Sequence, residues 1–135
     1  MKYISVKNHI LQFTVFLITG VLLLSCKNDD DKPAVAKYPK EVTIEYKVTS
    51  STGLKIGNIL FTNETGGNTT LDDQDIPFSK KFKRTVNQID VVALSYDNNA
   101  AGTAKLEIIV DDKVVESQTF ESTSFVNGSI VYLFQ

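Results

Sequence analysis

The sequence predicts an all-β domain at residues 41–135, folded as an antiparallel β-sandwich of seven strands. Three observations predict it. Apolar and polar residues alternate along short stretches, turn-forming residues separate these stretches at intervals of roughly 8–15 residues, and no segment carries apolar residues at helical spacing. The chain has 135 residues and is 42% hydrophobic, which suffices for one packed core.

The first three predicted strands lie before residue 83. Residues 42–49 alternate strictly between apolar and polar side chains, as expected of a strand with one buried face. The second strand covers residues 56–61, and a polar loop with two adjacent glycines follows at residues 63–75. The third strand covers residues 76–82, and its early proline suits the start of a strand or an edge strand.

The last four strands are predicted at residues 89–96, 104–110, 114–120 and 130–134. The first of these has apolar residues on both faces, whereas the second alternates. Asp111 and Asp112 predict a two-residue hairpin between the fifth and sixth strands, because aspartate tolerates positive φ better than most residues. Polar turns at residues 97–102 and 121–128 complete the pattern.

Residues 1–25 are predicted to be a sorting signal and no part of the fold. Lys2 and Lys7 precede an almost wholly apolar run at residues 10–24, which is the pattern of a secretory signal peptide. A transmembrane anchor is the alternative. The run is shorter than the ~20 residues that a bilayer core requires, so the signal peptide is the preferred interpretation.

The end of this run, Leu23-Leu24-Ser25-Cys26, resembles the lipobox of bacterial lipoproteins. In that family the chain is cleaved before the cysteine, here between Ser25 and Cys26. The resemblance implies a covalent diacylglycerol on the Cys26 thiol, an N-acyl chain on its new amino group, and no other cofactor. Cys26 is the only cysteine of the chain. Two or three acyl chains, at about 0.8 kcal/mol per buried methylene, anchor a protein firmly to a membrane.

Residues 26–40 are predicted to be the lipidated cysteine and a disordered, acidic tether, because they are charged, contain two prolines and show no period. Asp29, Asp30 and Asp31 have two interpretations. They are a solvated spacer, or they resemble the acidic export tag of surface lipoproteins in some Gram-negative bacteria. The expected location is the outer membrane of such a bacterium, on its periplasmic face or on the cell surface.

Composition excludes several functions. The chain has 14 basic and 16 acidic residues, for a net charge of −2, whereas nucleic-acid binding usually requires a basic patch. The only histidine, His9, lies in the predicted signal peptide. The mature chain would therefore lack the usual general base, a nucleophilic thiol, and the ligands that zinc and copper prefer. We expect a protein that is not an enzyme and has no nucleic-acid partner.

Several segments of the domain resemble the MmpS family of small membrane transport-accessory proteins. The segment Val42–Thr49 is similar to the opening strand of that family, and Ile59–Thr62 with its Gly-rich loop is similar to the second. Residues 76–80, Ile-Pro-Phe-Ser-Lys, resemble a Leu-Pro-Trp-Ser motif. Residues 106–115 resemble a strand-turn-strand of the form Ile-x-Val-Asp-Gly-Lys-x-Val. The resemblance covers nearly all of residues 41–134.

The resemblance implies an immunoglobulin-like sandwich outside the inner membrane, and accessory work beside an envelope transporter. The chain departs from the family in three ways. It lacks a cysteine pair in the last strands, it has Asp112 where glycine is usual, and it has a lipobox in place of an uncleaved helix. A lipoprotein cannot find a transporter through transmembrane helix contacts, which weakens the transporter inference but leaves the fold inference intact.

Two charged segments are candidate sites. Asp72, Asp73 and Asp75, with Glu64 nearby, could offer oxygens to calcium, but the spacing is not that of an EF-hand and a solvated loop is preferred. The one basic cluster contains Lys80, Lys81, Lys83 and Arg84. On a strand, Lys81 and Lys83 share one face, and Lys80 and Arg84 share the other. The cluster is a candidate contact for anionic ligands, or an edge strand whose lysines discourage aggregation, which is preferred.

The expected function is that of a non-enzymatic envelope lipoprotein that binds a partner protein, with an envelope transporter as one candidate. This function predicts an exposed apolar patch on the sandwich. The contributors proposed for it are Tyr38, Phe125 and outward residues of the fourth strand, namely Val92, Leu94 or Tyr96. The alternative is a lipid- or glycan-binding surface module, which predicts a pocket or an aromatic platform.

Overall fold

A computed structural model describes residues 37–135, which fold as an all-β sandwich of two antiparallel four-stranded sheets. The predicted fold class is confirmed, with eight strands in place of seven. The strands are β1 (Lys40–Thr49), β2 (Ile56–Thr62), β3 (Asn68–Asp75), β4 (Phe78–Val86), β5 (Val91–Asn98), β6 (Gly102–Val110), β7 (Lys113–Ser122) and β8 (Val126–Leu133). None of the described residues forms a helix long and apolar enough to cross a membrane.

The first sheet has the strand order β4-β1-β6-β7, and the second has the order β3-β2-β5-β8. Alternate residues of the inner strands β1, β2, β5 and β6 point between the sheets and form the core. Its largest fully buried side chains are Tyr46, Tyr96, Phe134, Ile44, Ile59, Leu94, Leu106 and Ile108. The buried hydroxyl of Tyr46 donates a 2.9 Å hydrogen bond to the carbonyl of Thr62, which links the first sheet to the second.

The hairpin predicted at Asp111 and Asp112 is confirmed. Both residues have positive φ, 49° and 62°, and they connect Val110 to its register partner Lys113. The Asp111 carboxylate also accepts a 2.9 Å hydrogen bond from the backbone N–H of Thr43, so the hairpin is held against the start of β1.

Strand β3 corrects the polar loop predicted at residues 63–75. It pairs with β2 at the edge of the second sheet and is mostly exposed. Because an exposed edge strand needs little apolar surface, its sequence shows no alternation from which a strand can be recognised. Part of the predicted tether also belongs to the sandwich. Lys40, assigned to the tether, opens β1, and Tyr38 packs against the core.

Candidate functional site

The outer face of the first sheet is covered by paired charges. Lys47 lies 3.1 Å from Glu45, and Lys105 lies 2.7 Å from Glu107. Burial acts to raise the pKa of the Glu45 carboxyl, but hydrogen bonds from Lys47 and Ser79, together with the charges of Lys47 and Lys81, lower the pKa overall. This face is therefore a solvated surface on which each of these charges has a partner of opposite sign.

The four residues of the predicted basic cluster lie on β4, which is an edge strand of the first sheet. Their faces are as predicted. The register places Lys81 and Lys83 opposite the outward Glu45 and Thr43, and it places Lys80 and Arg84 opposite the buried Tyr46 and Val42. Each cation also has an acidic partner: Lys80–Glu64 at 3.4 Å, Lys81–Asp112 at 2.7 Å, Lys83–Glu41 at 2.9 Å and Arg84–Asp90 at 3.3 Å. This pairing reduces the attraction of the strand for an anionic ligand.

Arg84 is the most enclosed of the four, with 12% of its side chain exposed. Its Nη2 reaches Asp90, and its Nη1 is buried with no hydrogen-bond partner in the described part of the chain. Asp90 also accepts a 3.0 Å hydrogen bond from the backbone N–H of Asn87. The pair therefore holds the β4–β5 loop in place, which is a structural role.

The acidic residues considered for calcium do not assemble. Asp72, Asp73 and Asp75 are exposed along β3, while Glu64 pairs with Lys80. Within residues 37–135, no three side chains of His, Cys, Asp or Glu come together as a group that could hold a metal ion.

The outer face of the second sheet differs from that of the first. On the first, the exposed Val114 of β7 lies at the edge of a charged surface, whereas the second carries several exposed apolar side chains together. We call Leu60, Val91, Ala93, Val131 and Leu133 the apolar face. Val91 pairs with Leu133, and Ala93 pairs with Val131, across β5 and β8. Val131 is 52% exposed, Val91 45%, Leu133 41% and Leu60 39%. Exposed apolar surface of this kind marks contact sites on soluble domains.

Most of the apolar face lies towards one end of the sheet. Leu60 pairs with Ser95 nearer the middle, and the 42% exposed Ile56 lies separately at the other end, where β2 begins. Towards the other end, Ser95 bonds Ser129 at 2.9 Å, and Asn58 bonds Asp97 at 2.9 Å. At the apolar end, the 75% exposed Ile89 lies two residues before β5, with Asp90 between them. A contact made here would therefore involve the end of the domain that holds the start of β5 and the end of β8.

The same end of the domain holds the point from which the chain leads towards Cys26. The Tyr38 hydroxyl donates a 3.0 Å hydrogen bond to the carbonyl of Gln135, just beyond β8. Ser25, Cys26 and the candidate export tag Asp29, Asp30 and Asp31 lie outside the described residues. The chain between Cys26 and Tyr38 spans at most roughly 40 Å when fully extended.

The structure corrects the residues proposed for the apolar patch. Val92, Leu94 and Tyr96 are buried in the core, at most 1% exposed, and the outward residues of this strand are Val91, Ala93 and Ser95. Phe125 is exposed, but it lies in the β7–β8 connection, and Tyr38 packs on the core. The sequence signal that could have located the face is the presence of apolar residues on both sides of β5 and of β8. These are two strands that the structure pairs.

The sequence matches no protein-family model and no curated protein.

Proposed function

We propose that this protein is a non-enzymatic, lipid-anchored envelope module that binds a partner protein through the apolar face. The proposal rests on the contrast between the two sheets. One outer face carries paired charges, while the other presents Val91, Val131 and Leu133 to solvent without a charged residue among them. Apolar side chains at the centre of a contact, with polar residues around them, are the usual anatomy of a protein interface.

The position of the apolar face supports a partner at the membrane. Tyr38, from which the tether leads, lies beside Gln135 at the end of β8 that carries Leu133. A lipidated Cys26 would hold this end within roughly 40 Å of the bilayer. A membrane protein complex, including the transporter suggested by the MmpS-like segments, is the kind of partner within that reach.

Site-specific photo-cross-linking in the native envelope tests the proposal. A photoreactive residue replaces Val91 on the apolar face or Thr119 on the outer face of the first sheet, where Thr119 pairs with Lys105. An epitope tag is inserted between Asn99 and Ala100, in the exposed turn at the opposite end. We expect a reproducible protein adduct from position 91 and none from position 119.

Adducts of equal yield from both positions would contradict the proposal. Adducts with lipid or glycan alone from position 91 would do so as well, and they would support the alternative of a lipid- or glycan-binding surface module.

A further inference from the structure

We propose that β8 is an open edge that pairs with β8 of a second copy of this chain, giving a two-fold symmetric dimer with one continuous sheet. β8 is the last strand of the second sheet. The N–H of Phe134 donates a hydrogen bond to the carbonyl of Asp90, and the carbonyl of Phe134 accepts one from the N–H of Ile89. Both groups therefore point towards the segment that leads into β5. Backbone groups alternate in direction along a strand. Those of Asn127, Ser129, Val131 and Leu133 therefore point away from β5, to the open side.

Charge separates β8 from the other three edge strands. β4 carries the basic cluster, β7 carries Lys113, Glu116 and Glu121, and β3 carries three aspartates, of which Asp73 has a positive φ of 50°. Charges and irregular backbone are the means by which edge strands avoid pairing. β8 contains no charged residue, from Val126 to Leu133.

Because β8 carries no charge, two copies of it can pair without repulsion. Antiparallel pairing of all four outward residues places Ser129 opposite Val131 and Asn127 opposite Leu133, with no like charges facing. The same pairing of β4 would bring lysines against lysines or arginine. Among the edge strands of the described residues, β8 is the uncharged one. The partner strand proposed for it is therefore β8 of a second copy.

The dimer would also enlarge the apolar face. Paired antiparallel strands that lie opposite each other keep their side chains on the same side of the sheet. Val131 and Leu133 of one copy therefore continue the outer surface of the other. The inference is independent of the proposed function, because it rests on the backbone edge and the charges of the strands.

Disulfide trapping of the full chain in the envelope tests the dimer. The double variant Ser129→Cys/Val131→Cys places thiols on residues that face each other across the proposed two-fold axis. Lys81→Cys/Lys83→Cys is the matched control, with the same spacing on the exposed face of another edge strand. After mild oxidation, we expect a covalent dimer in which position 129 is joined to position 131, at least tenfold more abundant than in the control. Equal abundance in both variants, or a disulfide to a different protein, overturns the proposal.

A charge variant gives a second test without cysteine. Ser129→Lys places like charges near the two-fold axis, whereas Lys81→Ser leaves β8 unchanged. In sedimentation of the detergent-solubilised full chain, we expect twice the protomer mass for the wild type and Lys81→Ser, and the protomer mass for Ser129→Lys. A wild-type protein that sediments as a monomer overturns the proposal. Partner capture measured through Val91 is a separate readout, so the two proposals fail independently.

Discussion

Gly128 allows the sharpest test of how β8 is held in the sandwich. A Cβ atom built on Gly128 would enter the ring of Phe120 on β7, so only glycine fits beneath that ring. Its φ is not in the left-handed region, and alanine at this position would meet no backbone strain. The packing and the backbone therefore predict opposite signs for Gly128→Ala.

The packing predicts destabilisation. Forcing a methyl group into a filled space costs about 1–3 kcal/mol. In a domain of this size each kcal/mol lowers the unfolding temperature by roughly 4–8 °C. Without the contact, the same substitution would stabilise by about 0.4–1 kcal/mol, because alanine reduces the entropy of the unfolded chain.

Thermal unfolding of the full chain, followed by circular dichroism, measures the effect. Gly67→Ala is the control, because its Cβ would make ordinary contacts with Asn63 at 3.7 Å, and we expect a small increase in unfolding temperature. Phe120→Ala combined with Gly128→Ala should cost less than the sum of the two single variants. An unfolding temperature that rises in Gly128→Ala would refute the reasoning.

Three further predictions concern hydrogen bonds and charges. Tyr46→Phe should destabilise the domain by about 1 kcal/mol, because it removes a buried hydrogen bond to Thr62, while Tyr38→Phe, at an exposed bond, should have little effect in urea unfolding. Arg84→Ala should cost about 1–3 kcal/mol and Lys83→Ala much less, because the first ion pair is largely enclosed and the second is exposed; equal costs would contradict this. The hydrogen bond and charge of Lys81 lower the pKa of Asp112, so the stability from this pair is present above the unfolded pKa and is lost as the pH falls through the folded pKa. Wild type should therefore exceed Asp112→Asn in urea midpoint at pH 7, and the difference should shrink as the pH falls below the unfolded pKa. A difference that stays constant with pH would contradict the assignment.

The sequence predicts the strands wherever burial is one-sided. Residues 42–49 alternate because β1 lies in the middle of its sheet, with one face in the core and one in solvent. The hairpin at Asp111 and Asp112 is equally predictable, because its residues suit positive φ. The sequence does not predict β3, because this exposed edge strand is defined by its backbone pairing with β2. Its side chains are mostly exposed and show no alternation that would indicate a strand.

The sequence predicts an exposed apolar patch, but it does not predict which residues form it. Residues 89–96 carry apolar side chains on both faces, so their pattern does not say which face is buried. The pairing of β5 with β2 and β8 decides it by turning Val92 and Leu94 into the core and leaving Val91 outside. That pairing joins residues far apart in the chain, which a local pattern does not encode.

Quantitative capture of partners tests the central claim, that the apolar face is the binding surface, most directly. The wild-type protein, Val91→Lys and Thr119→Lys are each purified from the envelope through the tag at residues 99–100, and the co-purified proteins are compared by mass spectrometry. The two variants add the same charge to opposite outer faces. We predict that Val91→Lys reduces recovery of the main partner at least tenfold, while Thr119→Lys leaves it within twofold of the wild type. Equal recovery with Val91→Lys and the wild type would contradict the account.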